Sequence, residues 1–196
     1  MTPTSGKRRL LPLTTLLVAA VLTGCSSSPT HDAGNSSGMM GSGSSYRSSA
    51  RTCKPPGSLA GARVEVRLGD MGMTRMMSGV APVGAHMRLL ASTSRVAAGR
   101  VSLVARNLGW RTHELVVLPL AVGVPAGQRH VGANGRVSEA GSLGEASSSC
   151  GADAGDGITA GSAGWTTLTL PAGRYELVCN LRNHYADGMR QALVVS

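Results

Sequence analysis

Phenylalanine is absent from this 196-residue chain, and aromatic residues make up only 3% of it. A core built from this sequence must use Val, Leu, Ala, Ile and Met instead. Acidic residues are also scarce, at 10 against 19 Lys and Arg, for a formal charge of +9. Lys7, Arg8 and Arg9 form the one compact basic run. The other cations are scattered and not interleaved with aromatics, which argues against nucleic-acid binding. They suit acidic partners or an anionic membrane face. No apolar stretch is long enough to span a bilayer comfortably, the longest being about Leu10 to Leu22. No long 3.6-residue period occurs, and the abundant Gly favours turns and short strands over helices.

What is present begins with a leader. The basic run precedes the Leu10–Leu22 stretch, the pattern of an export signal rather than part of a fold. It ends in Leu22-Thr23-Gly24-Cys25, which resembles the lipobox of bacterial lipoproteins. The resemblance implies cleavage after residue 24 and acylation of Cys25. The alternative is an ordinary cleaved signal in which Cys25 is incidental. Either way the mature protein is expected outside the cytoplasm, and a lipid-modified Cys25 would hold it at a membrane surface. Residues 25–57 are rich in Ser and Gly with almost no aliphatic side chains. Such a segment buries too little apolar surface to offset its ordering entropy and reads as a tether. About 30 residues of it would reach on the order of 30 Å.

Residues 58–196 have a different texture. Arg63–Leu68 alternates at period two. Met87–Ala91, Val101–Asn107, Thr112–Leu118, Gly164–Leu170, Arg174–Cys179 and Ala192–Ser196 are further short apolar or alternating runs separated by turn residues. These predict an all-β Greek-key sandwich of about seven to eight strands. Residues 120–163, rich in Gly, Ala and Ser, read as a long excursion with room for a short helix. Excursions of that length are usually functional or partly mobile.

The C-terminal part carries the chemistry. Cys179, His184 and Met189 are spaced Cys-x4-His-x4-Met after a predicted strand. Taken singly, Cys179 and Met189 are more often buried apolar residues, and His113 a satisfied strand-end histidine. Together with a second imidazole the Cys-x4-His-x4-Met residues form the donor set of a blue-copper centre: two His and a Cys around the ion, with a weaker Met. His113, at the start of the Thr112–Leu118 run, supplies that imidazole from a separate element. In this order and context the chain resembles the cupredoxins, and within them the sulfocyanin and rusticyanin branch, over roughly residues 60–196. The resemblance implies one copper ion cycling between Cu(I) and Cu(II), and a one-electron carrier rather than an enzyme. It also implies redox partner proteins in the membrane or cell envelope, reached through the exposed edge of His184. Plastocyanins and azurins usually have Asn after the first His ligand, tying the two ligand loops together. Here the residue is Glu114, whose carboxylate either accepts a bond from the other loop or faces outward.

Two features stand outside that site. Cys53 and Cys150 remain after Cys25 and Cys179, and in an oxidising compartment a disulfide is their simplest pairing, two free thiols being the alternative. Met71, Met73, Met76 and Met77 lie within seven residues, with Met39 and Met40 in the tether. Thioethers suit Cu(I), so this run is a candidate secondary site for copper capture or delivery; the alternatives are an adaptable docking patch or gap-filling apolar residues. His31, His86 and His130 are expected on the surface or in loops.

Overall fold

The computed structural model describes residues 53–70, 84 and 86–196. Nine strands are found among them: β1 (Ala62–Asp70), β2 (Met87–Ala91), β3 (Arg95–Val96), β4 (Gly99–Asn107), β5 (Leu115–Pro119), β6 (Gly144–Ala146), β7 (Ala163–Leu170), β8 (Gly173–Val178) and β9 (Arg190–Val195). The all-β sandwich expected from the sequence is observed. The strands beyond the expected count are the two shortest, β3 and β6. Runs of two or three residues give too little alternation to be read from sequence.

One sheet has the order β2-β1-β4-β7 and the other β3-β9-β8-β5-β6. Most neighbours are antiparallel, but β1 runs parallel to β4 and β3 to β9. In β1 the alternation decides the facing: Val64, Val66 and Leu68 are fully buried, while Arg63 and Arg67 are exposed. Their counterparts across the core are Leu115 and Val117 of β5, Leu177 of β8, and Leu193 and Val195 of β9.

β5 is buried on both faces, which explains why Leu115–Leu118 is a continuous apolar run rather than an alternating one. Its second face, Val116 and Leu118, packs with Val178, Tyr185 and Val137 in a separate cluster. Val137 belongs to the 120–163 excursion, which therefore forms a cover over this sheet. Instead of a helix, the excursion contains β6 and isolated bridges such as Val131–Val137 and His113–Ile158. Its many glycines favour turns over helical propagation.

Two links pin the excursion down. Glu176 of β8, fully buried, pairs with Arg129 at 2.6 Å and also accepts bonds from Gly127 N (2.6 Å) and the Tyr185 hydroxyl (3.0 Å). Cys53 and Cys150 form the expected disulfide, with Cα atoms 5.2 Å apart across a sequence separation of 97. Closing a loop of that size stabilises by about 4–5 kcal/mol in the chain-entropy account.

The topology also brings particular chain ends together. β5 and β8 are antiparallel with Val116 opposite Val178, so the entry to β5 and the exit of β8 meet at one end of the sandwich. β1 and β4 are parallel with Leu68 opposite Asn107, and there Leu108 N donates to Leu68 O (2.8 Å).

Candidate metal centre

His113 sits two residues before β5 and is held by a two-way backbone bridge. Its N–H donates to Ile158 O (3.1 Å), and Ile158 N–H donates to His113 O (2.7 Å). Cys179 follows the last residue of β8, and its N–H donates to Met189 O (3.0 Å). Residues 180–188 between them fold into consecutive turns. His184 N bonds Leu181 O (2.9 Å), Asp187 N bonds Asn183 O (2.9 Å), and Met189 N bonds His184 O (3.0 Å). Asn183 takes φ 71°, a left-handed conformation that Asn tolerates better than most residues. Gly135 of the excursion, at φ 74°, seats its carbonyl against Asn183 N (2.8 Å) and has no room for a Cβ.

Three of the four predicted ligands, His113, Cys179 and His184, converge. His113 Nδ1 and His184 Nδ1 are 3.2 Å apart. Cys179 Sγ lies 3.3 Å from His184 Nδ1 and 3.9 Å from His113 Nδ1. The two rings meet edge to face, with centroids 5.0 Å apart. No other group of three His, Cys, Asp or Glu ligands is brought this close among the described residues. Met189 is fully buried in the same apolar cluster as Cys179. His86 and His130 are exposed, as expected. Cys25, Met71, Met73, Met76 and Met77 lie outside the described residues.

One expectation is overturned. His184 was to offer an exposed ring edge, but it is only 4% exposed. Its loop folds inward, so the imidazole packs against His113 and Cys179 rather than reaching the surface.

The electrostatics suit a cation. Burial pushes the His184 imidazole down to about 3, with His113 as a second cause, and burial also lowers His113. Both rings are therefore neutral near pH 7 and keep a lone pair available. Burial, followed by the nearby Glu114, raises the Cys179 thiol to about 12. A bound metal ion reverses that preference, because it stabilises the thiolate directly. Three N and S donors around a shared ion, at ordinary bond lengths of about 2.0–2.3 Å, would stand roughly 3.5–3.8 Å apart if trigonal. The observed spacings bracket that range, so the three residues fit a metal ion.

Glu114 resolves in favour of the inward alternative. Its carboxylate accepts from Asn180 N (3.0 Å), and its own N–H points at Cys179 Sγ (3.3 Å). It thus ties the two ligand loops together. Burial, then the Glu139 charge, raises its carboxyl to about 7.

Sequence reasoning missed two supporting residues. Asn180 clasps the excursion through Val137 N (2.8 Å) and Val137 O (3.0 Å). Asp70 accepts from His113 Nε2 at 3.3 Å. Its signal was available: it continues the inward parity of Val64, Val66 and Leu68, and a carboxylate at a core position needs a partner.

No protein-family model matches the chain, and no curated protein matches it in sequence. The solved structures it resembles include rusticyanins and auracyanins. Rusticyanin from Thiobacillus ferrooxidans is 18% identical, covering 76% of this chain and 88% of its own, with a TM-score of 0.42. Auracyanin A, a "blue" copper protein from Chloroflexus aurantiacus, is 14% identical, covering 69% of this chain and 100% of its own, with a TM-score of 0.40. Auracyanin from Roseiflexus castenholzii is 16% identical, covering 69% and 99%, also at 0.40.

Proposed function

We propose that the chain is a type I copper protein of the cupredoxin kind, acting as a one-electron carrier at the outer face of a membrane. The observation that carries this reading is the buried convergence of two imidazole Nδ1 atoms and one thiol within 3.2–3.9 Å. Thiolate suits Cu(I) and imidazole suits both valences, so this donor set accommodates either state of copper. Met189 is assigned as the weak fourth ligand from its spacing and burial.

Copper held there would supply a reversible one-electron couple. The chain's own contribution is rigidity and exclusion of water. His113 is clamped by Ile158, Cys179 is held by Met189 O, and the Glu114 carboxylate bridges to the second loop. The N–H of Glu114 directs a donor at Sγ, which favours the thiolate. Because the donors are already gathered, little rearrangement accompanies a change of charge.

In this reading Cys25 carries the lipid and residues 26–57 are the tether that lets the domain meet redox partners in the membrane or cell envelope. Replacing residues 1–25 with an ordinary cleavable export signal should move the protein from the membrane to the soluble fraction. Retention on the membrane would sink the anchor.

A purified soluble domain given Cu(II) should turn intensely blue and bind one equivalent. C179S should lose the colour and most of the metal. A colourless wild type, or a C179S spectrum matching it, would refute the assignment.

Copper capture or delivery is the second reading. It is favoured by what flanks the Met71–Met77 run. Asp70 bonds His113, and Gly84 N donates to Asp187 of the ligand loop at 2.6 Å. Asp70, next to the run, and Gly84, seven residues beyond it, thus both lie at the metal-binding end. Substituting Met71, Met73, Met76 and Met77 together should remove Cu(I) equivalents beyond the first if this reading holds. Rapid electron exchange with a stoichiometry of one would favour the carrier.

A further inference from the structure

Asp70 closes β1 at the end where the donors gather, and its side chain is fully shielded, as is that of His113. One oxygen, Oδ1, accepts three bonds: from Trp110 N (2.7 Å), Arg111 N (3.3 Å) and His113 Nε2 (3.3 Å). A carboxylate only accepts, so Nε2 must carry the ring proton, leaving the Nδ1 lone pair turned toward Cys179 and His184. The 107–112 segment is shaped around this contact. A Cβ on Gly109 would stand 1.9 Å from Asp70 Oδ1 and 3.0 Å from His113 Nε2, so only glycine lets the loop close. Asn107 completes the brace through Gly109 N (2.9 Å), Arg111 O (2.6 Å) and Ile158 O (2.7 Å).

We propose that Asp70 is a positioning residue of the centre, fixing the proton on His113 Nε2, aiming Nδ1 at the other donors, and adding a buried negative charge that favours the more highly charged state of a bound ion. The charge part rests on the copper reading; the proton part does not. With two neutral imidazoles, the Cys179 thiolate and the Asp70 carboxylate supply two negative charges that offset a divalent ion, and the buried Glu114 carboxyl, raised to about 7, adds part of a third. One added electron leaves a buried negative excess. Carboxylate support of a histidine ligand also raises its basicity, and removing such support typically costs 10–100-fold in metal affinity.

D70N separates the two effects. Its amide oxygen can still accept from Trp110 N, Arg111 N and His113 Nε2–H, so the geometry is retained while the charge is lost. D70A removes both. The first readout is ¹⁵N NMR of the metal-free wild type. His113 should show a proton on Nε2 and a bare Nδ1, with the same pattern in D70N and a mixed one in D70A. The second is the Cu(I)-to-Cu(II) affinity ratio. In D70N it should rise by about 10-fold or more, with the reduction potential moving up. A metal-free wild type protonated on Nδ1 overturns the positioning role, and this needs no variant to fold. A D70N affinity ratio within twofold of wild type overturns the charge role. A wild type that takes up no copper defeats the copper reading and the charge role with it, while the nitrogen spectrum still decides the proton.

Discussion

Replacing Arg129 with Met should destabilise the domain more than replacing its partner Glu176 with Gln, although both changes break the same ion pair. The reason is unequal burial. The Glu176 side chain is wholly shielded, whereas that of Arg129 is 23% exposed. In R129M the carboxylate stays buried and keeps only Gly127 N and the Tyr185 hydroxyl. Losing one partner of a buried pair typically costs about 3–5 kcal/mol. The two surviving hydrogen bonds place this case near the lower end, about 3 kcal/mol. In E176Q the guanidinium can turn toward water and still reach Pro119 O. The remaining loss is of ordinary hydrogen-bond size, about 1–2 kcal/mol. For a chain of this length, 3 kcal/mol corresponds to a fall in Tm of roughly 6–12 °C. Chemical denaturation of wild type, both single variants and the double variant gives the coupling directly. The damage should also reach the metal site, because Tyr185 follows His184 and its hydroxyl takes the Arg129 N–H (3.1 Å). Metal-loaded R129M should therefore exchange amide protons faster across 180–189 than wild type. Equal costs for the two single variants would refute the burial argument, and additive losses in the double variant would show that this pair does not hold the excursion in place.

Removing the Cys53–Cys150 bridge with paired Ser substitutions should cost about 4–5 kcal/mol from loop entropy, measured by denaturation without reductant; a loss below about 1 kcal/mol would mean that the unfolded chain is not constrained as supposed. The metal-free protein should lose stability as pH falls from about 6.5 toward 3. The lowered His113 and His184 values mean that the unfolded chain takes up protons there while the folded one does not. Glu114, raised to about 7, acts in the opposite sense between about 4.5 and 7, so a Glu114→Gln background should steepen the net loss in that range. Near neutrality, metal binding should release about one proton, from Cys179, because the thiol is raised to about 12 and both imidazoles are already neutral. Calorimetry in buffers of different ionisation enthalpy reads that number, and a value near zero would remove Cys179 as a ligand.

Local pattern was enough to mark seven of the strands, because alternation in β1 and apolar runs in β5 and β8 record which faces are buried. The gathering of His113, Cys179 and His184 was foreshadowed as well, since Cys179 and His184 share one loop and their spacing travels with the chain. Pairing was not. The parallel match of β1 with β4 depends on long-range register, which no local pattern encodes. Asp70 and His113 are 43 residues apart in sequence and in contact only because those strands end together. The same holds for the burial of His184 and for the cover formed by residues 120–143. Residue type and spacing therefore determined which candidate donors the chain carries, while the tertiary structure decided which neighbours orient them. Coordination needs particular atoms, which are written in the sequence; their aim, protonation and shielding depend on groups that only folding brings near.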